Sequence, residues 1–220
     1  MTKLVTPVSP ALPLAPTDYA RVYQDQHNNV LRLYFRQLDG IFSALLGDSG
    51  GRFLEFPHIA AQDTTSQYTT TNTATKVLWD TLDSGIGFTL NQDSTATADY
   101  DGIYKIDFSL QFANTDSQIH DAFVWLEVDG IAVAGSASKF TVPNKHGSVN
   151  GFLVAYSSVV FQVNAGEPIA LYWATNQAAV VSPSADGIFM EASPAQTSPF
   201  VMPAIPSAIG SITFVSNLTA

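Results

Sequence analysis

Ile103-Tyr-Lys-Ile-Asp-Phe-Ser-Leu-Gln-Phe112 alternates without a break. Tyr104, Ile106, Phe108, Leu110 and Phe112 share one side, and Lys105, Asp107, Ser109 and Gln111 share the other. Successive side chains of a strand point to opposite faces, so this pattern predicts a strand with one face in a core. Asp101-Gly102 stands before it as a turn signal. The stretch announces a β-sandwich rather than an enzyme scaffold rich in helices.

Further strands are expected on both sides. Val77–Leu82 and Ile86–Leu90 flank Asp83-Ser-Gly85, and Phe123–Val128 and Ile131–Ser136 flank Asp129-Gly130, a hairpin signal. Phe152–Val163 is a long strand, and Asn164-Ala-Gly-Glu167 turns into Ile169–Ala174. Ile188–Met190 and Ile212–Val215 follow, joined by the proline-bearing stretch 193–206, which is read as an extended surface connection. Many short strands between turn signals indicate a sandwich or jelly roll.

The first 46 residues read differently. Prolines recur every third residue from Pro7 to Pro16, which favours an extended arm over residues 1–17. Its apolar residues, Leu4, Val5, Val8, Leu12 and Leu14, make it a candidate docking peptide. Residues 18–46 read as a helix, with Thr17 or Asp18 supplying the N-cap and Gly47 the stop. Leu31, Tyr34, Leu38, Ile41 and Leu45 follow a heptad-like seam, which His27 continues upstream as a polar layer. The helix packs on its own sandwich or on copies of itself, and the seam favours copies. Residues 47–65 are read as a linker containing a short strand, Phe53–Phe56. The threonine-rich stretch 64–75 suits an exposed strand or a solvated loop.

Composition narrows the function classes. With 220 residues and 46% hydrophobic content, the chain can bury one sizeable core. Charged residues make up only 13%, which suits either a surface covered by a partner or one covered by Ser, Thr, Asn and Gln. Cysteine is absent, which removes disulfides, cysteine-ligated zinc and thiol nucleophiles. The net charge of −10 is uneven: residues 1–52 carry +1 and residues 53–220 carry −11. An acidic body without basic clusters argues against nucleic acid as a partner. The prolines near the N-terminus break any apolar signal helix, and no apolar run is long enough to insert in a membrane.

Three stretches carry a family resemblance. Tyr100–Leu110 resembles the central strand of the complement globular-head and tumour-necrosis-factor jelly rolls, where a Gly-aromatic turn leads into an alternating aromatic strand. Leu126–Val133 resembles their next hairpin. Ser158–Leu171 resembles their paired apolar strands, with Glu167 in place of the usual Asp. The flanks instead resemble structural proteins of tailed bacteriophages: Leu-Pro-Leu-Ala-Pro-Thr-Asp-Tyr in the arm, Leu-Arg-Leu-Tyr-Phe-Arg-Gln-Leu-Asp in the helix, and the Pro-Ser-Ala-Ile-Gly-Ser-Ile-Thr-Phe-Val-Ser ending. The resemblance implies a mainly β, TNF-like jelly-roll sandwich at residues 66–192, with a tail and final strand at 193–220. It also implies a homotrimeric virion component, either a capsid decoration protein or a head or tail fibre component. The implied partners are other virion proteins, such as capsid or tail proteins. The alternative is a receptor- or glycan-binding adhesion module of the tail, with a host surface glycan as partner.

No motif for catalysis stands in the chain: there is no Gly-x-Ser-x-Gly elbow, no phosphate-cradling glycine loop and no His-Glu-x-x-His. A non-enzymatic part is therefore expected. The four histidines, His27, His58, His120 and His146, form no spaced metal motif. Asp99 and Asp101 beside a turn are the only candidates for Ca²⁺, which some complement-type heads bind through loop carboxylates. The EF-hand spacing is missing, so no cofactor is expected. Trp173 shares a face with Ile169 and Leu171 and is expected in the core. The strand around Trp125 is apolar on both faces, the pattern of a strand covered on both sides. Tyr104, Phe108, Phe123, Trp125 and Tyr172 are the candidate trimer contacts of the sandwich.

Overall fold

The computed structural model describes Pro10, Asp18 and residues 21–46, 56–181 and 185–218, with side chains of the helix described to residue 43. Two compact units divide the chain, residues 1–55 and 56–220.

In the first unit, α1 (Arg21–Leu46) is one continuous helix of 26 residues, about 39 Å long at 1.5 Å per residue. Leu, Arg, Gln and Ala favour it, and Gly40 is carried in its interior without a contact around the missing side chain. Asp18 lies in a bend before it, and the expected arm residues Leu4, Val5, Val8, Leu12 and Leu14 lie outside the described residues.

The second unit is a sandwich of two antiparallel sheets. Its strands are β1 (His58–Asp63), β2 (Thr75–Lys76), β3 (Thr81–Ile86), β4 (Phe88–Leu90), β5 (Ala96–Ala98), β6 (Gly102–Asn114), β7 (His120–Val128), β8 (Ile131–Ala132), β9 (Ser138–Val142), β10 (Gly151–Val163), β11 (Pro168–Thr175), β12 (Ile188–Met190) and β13 (Ala208–Ser216). One sheet runs β10-β6-β13-β1-β3, with β12 also on β6. The other runs β4-β5-β11-β7-β8, with β2 on β11 and β9 on β7. The chain switches sheets repeatedly: at each step from β1 to β4, and again from β5 to β6, β6 to β7, β9 to β10, β10 to β11 and β11 to β12. This is a jelly roll.

The quoted strand became β6, and its alternation is the reason for its place. Its even-numbered residues 104–112 are all buried, and its odd-numbered residues 103–111 are half-buried on the outer face. Both of its edges are paired, to β10 over 13 residue pairs and to β13. Phe112 meets Trp173 of the opposite sheet at a ring distance of 5.7 Å. Leu110, Leu126, Leu171 and Ile188 fill the same core. Asp129 and Gly130 both take positive φ, 51° and 72°, and close the β7–β8 hairpin as expected.

Several boundaries differ from the sequence expectation. The expected linker 47–65 contains β1, which pairs with both β13 and β3. Of the expected strand Phe53–Phe56, residues 53–55 lie outside the described residues, and Phe56 is not in a strand. Asp83-Ser-Gly85 is not a turn but part of edge strand β3, where open space and pairing to β1 overrule its turn propensity. Residues 77–80, including Trp79, form a connection rather than a strand, because Gln67 captures the backbone there: its side chain accepts from the Leu78 N–H and donates to the Leu78 carbonyl. Ile131–Ser136 is a strand only at its start; Ser136 then caps the turn by bonding Leu126 and Val133. The final strand is not an appendage. It lies between β6 and β1 in the middle of its sheet.

Candidate interaction surfaces

Strand β10 is the edge of its sheet, paired only to β6 among the described residues. Its inward row includes Ala155, Phe161 and Val163, all buried. Four of the six residues of its outward row are apolar or aromatic, with Ser158 and Gln162 between and after them. Phe152 is 55% exposed, Val154 56%, Tyr156 62% and Val160 59%. Register extends this face inward: Tyr156 lies opposite Ser109, which lies opposite the exposed Ile209 of β13. A long strand that is apolar outward and unpaired along one edge is a template for association.

At the middle of this face sits a polar group of three. Lys105 Nζ lies 2.9 Å from Asp107 Oδ2, and the Tyr156 hydroxyl donates to Asp107 Oδ1 at 3.0 Å. Burial pushes the Asp107 carboxyl upward, but hydrogen bonds from Lys105, Ser158 and Tyr156 outweigh it and hold it below the usual range. The carboxylate thus anchors the Tyr156 ring on the surface in one orientation.

The helix carries a second face. Among residues 21–43, those partly covered are Tyr23, His27, Val30, Leu31, Tyr34, Leu38 and Ile41, and the rest are exposed. These follow the seam read from the sequence. His27 stacks on Tyr23 with ring centres 6.1 Å apart. Leu33, Phe35 and Phe42 add exposed apolar surface beside it. The Leu45 side chain lies outside the described ones.

The sandwich contact candidates separate into two groups. Tyr104 and Phe108 are 0% and 3% exposed, buried in the core of their own chain. They cannot form a contact between chains, and that expectation is corrected. The reason is the parity of β6, which turns every even residue inward. Phe123, Trp125 and Tyr172 lie on the outer face of the other sheet. Phe123 is 39% exposed and faces Lys139 across the β7–β9 pair. Trp125 and Tyr172 are directly paired in register and stack, with centroids 5.9 Å apart and planes 16° from parallel.

The outward row of β10 was missed by the sequence reading. Its signal was present, because Phe152–Val163 has apolar residues at both odd and even positions. A strand of that kind is covered on both faces or sits at an interface.

Two of the histidines, His58 and His120, are engaged in local side-chain bonds. His58 bonds Phe56 O and Ser84 Oγ, and His120 Nε2 lies 2.7 Å from Asp116 Oδ2. Asp121 pairs instead with Lys139. Asp101 accepts the Ala165 N–H at 2.6 Å, tying two loops together. Among the described residues no three His, Asp or Glu side chains converge on a metal-sized point, and no helix is long and apolar enough to cross a membrane.

No protein-family model matches the chain, and no curated protein matches it. Among solved structures the chain is similar to the globular domain of the zebrafish complement 1qA protein, at 11% identity and a TM-score of 0.43. The match covers 74% of this chain and 100% of that one. No residue correspondence is carried over from it.

Proposed function

We propose that this chain is a non-enzymatic, self-associating structural component of a bacteriophage particle, active as a homotrimer. The observation that carries the self-association is the outward row of β10, Phe152, Val154, Tyr156 and Val160, continued by Ile209 on β13. Exposed apolar side chains on an open edge are stabilised when a second copy covers them. The heptad seam of α1 supplies a separate contact of the same kind. The phage setting is supported by the resemblance of the flanking segments, and the apolar arm at residues 1–17 is the proposed attachment to other virion proteins. In that setting the trimer serves as a capsid decoration protein or as a head or tail fibre component.

The test is native mass by light scattering after size exclusion. The full chain, at 23.6 kDa per copy, is expected at the mass of three chains. Tyr156→Glu together with Val154→Asp is expected to reduce the association of residues 56–220 to single chains. A monomeric wild-type protein would overturn the reading.

A further inference from the structure

The outer face of the β2-β11-β7 sheet holds a depression of about 210 Å³ that the self-association reading does not use. Its floor is Ala170, the one small outward residue between Pro168 and Tyr172 on β11. The Tyr172 ring forms a wall, and it is backed by the stacked Trp125. Lys76, Asp93 and Glu127 stand around the rim. Register explains why they meet: Lys76 lies opposite Tyr172, and Glu127 lies opposite Ala170.

The polar groups are held in place before any ligand arrives. Lys76 Nζ donates to Asp93 Oδ2 at 2.9 Å and to its backbone carbonyl at 3.0 Å. Thr95 Oγ1 donates to Asp93 Oδ1 at 2.7 Å. Trp125 Nε1 donates to Glu127 Oε1 at 2.9 Å. Each carboxylate therefore has its charge partly satisfied and still presents free lone pairs. The Lys76 and Asp93 charges offset each other.

We propose that this depression is a binding site for one neutral pyranose unit of a glycan. The hydroxyls of such a ring pair with Asp93, Glu127 and Lys76, and its C–H face packs on Tyr172. The volume is below that of sites for drug-sized ligands, which start at roughly 300 Å³, and suits a single small ring. Fixed acceptors and a donor around an aromatic wall match a polyol, which offers both hydrogen-bond donors and an apolar face. An anionic sugar would bring its carboxylate against Asp93 and Glu127. The site uses none of the β10 and β13 residues on which the self-association reading rests.

The test is saturation-transfer NMR on the full-length protein with the methyl glycosides of glucose, galactose, mannose and N-acetylglucosamine, and with choline as a separate probe. At least one glycoside is expected to receive transfer, concentrated on the protons of one ring face, with a Kd of roughly 1 mM. Ala170→Leu fills the floor and is expected to weaken binding about tenfold or more. Glu127→Gln keeps the acceptor for Trp125 while removing the charge, and is expected to weaken binding with the fold intact by circular dichroism. Three outcomes overturn the proposal: no transfer to any of these glycosides from folded wild-type protein, transfer unchanged in both variants, or transfer to choline alone, which would make the site a cation cage.

Discussion

Gly151 and Glu191 show how single residues hold this sandwich. A Cβ on Gly151 would lie 1.9 Å from the Pro143 carbonyl oxygen and 2.6 Å from its carbon. Backbone cannot yield there as a flexible side chain would, so Gly151→Ala is expected to cost about 3 kcal/mol in chemical denaturation. Gly210 is crowded differently, by the Trp79 ring, which can move. Glu191 carries the opposite lesson. Burial raises its pKa above 4.5, and one carboxylate oxygen is buried without a hydrogen-bond partner. A raised folded pKa contributes stability below the unfolded value and loses it as pH rises through the folded value. Glu191→Gln should therefore raise Tm by about 2 °C at neutral pH, with the gap to wild type closing below pH 4.5. A gap independent of pH would contradict this account. Asp93 works in the other direction. Hydrogen bonds from Lys76 and then Thr95 lower its pKa from 3.8 to about 2. Its contribution is present above 3.8 and is lost as pH falls through 2. The effect is small because Asp93 is largely exposed. In acid titration followed by circular dichroism, Asp93→Asn is expected to lose less stability than wild type across that window.

At the scale of the element, β6 and β10 obey one periodicity with different outcomes. In β6 the outward residues are Lys105, Asp107, Ser109 and Gln111, and the core owns the apolar row. In β10 both rows are mainly apolar, with Ser157, Ser158 and Gln162 as the polar exceptions, although the strand lies at the sheet edge. Leu110→Ala, in the buried row, is expected to lower stability by about 3 kcal/mol, measured by urea unfolding. Tyr156→Glu, in the exposed row, is expected to leave circular dichroism unchanged while lowering the association constant at least about tenfold by analytical ultracentrifugation. Equal loss of fold in both variants would make the outward row part of the subunit core. On α1, Leu38→Asp places a charge on the seam, and the expected result is weaker association of the full chain with circular dichroism in the strand region unchanged.

For the whole molecule, the two units raise separate questions of association. If the seam of α1 and the face of β10 both hold copies together, residues 56–220 should associate alone but dissociate at lower dilution than the full chain, because joined contacts raise each other's effective concentration. Dilution series by mass photometry of both forms would measure this. Identical dissociation would leave the helix without a part in the assembly. The acidic charge also belongs to this scale: residues 53–220 carry −11, so raising salt should strengthen association by screening repulsion between copies. The glycan site faces outward from the other sheet and is expected to stay open whether or not the β10 face is covered.

Local pattern alone sufficed for the sandwich class, the central strand, the Asp129-Gly130 hairpin, the core position of Trp173 and the N-terminal helix, because alternation, helical periodicity and turn residues act over a few neighbouring positions. Pattern could not reveal that β1 lies in an expected linker, or that the last strand sits between β6 and β1. Those placements depend on pairing between residues about 150 positions apart, such as Ala60 with Ser211, and such pairing leaves no trace in local periodicity. Tyr104 and Phe108 are a different case: the alternation of β6 already placed them on the core face, and their naming as contacts between chains went against that parity. The limit of local pattern also hid the depression over Ala170, which exists only because register brings Lys76, Glu127 and Tyr172 around one small side chain.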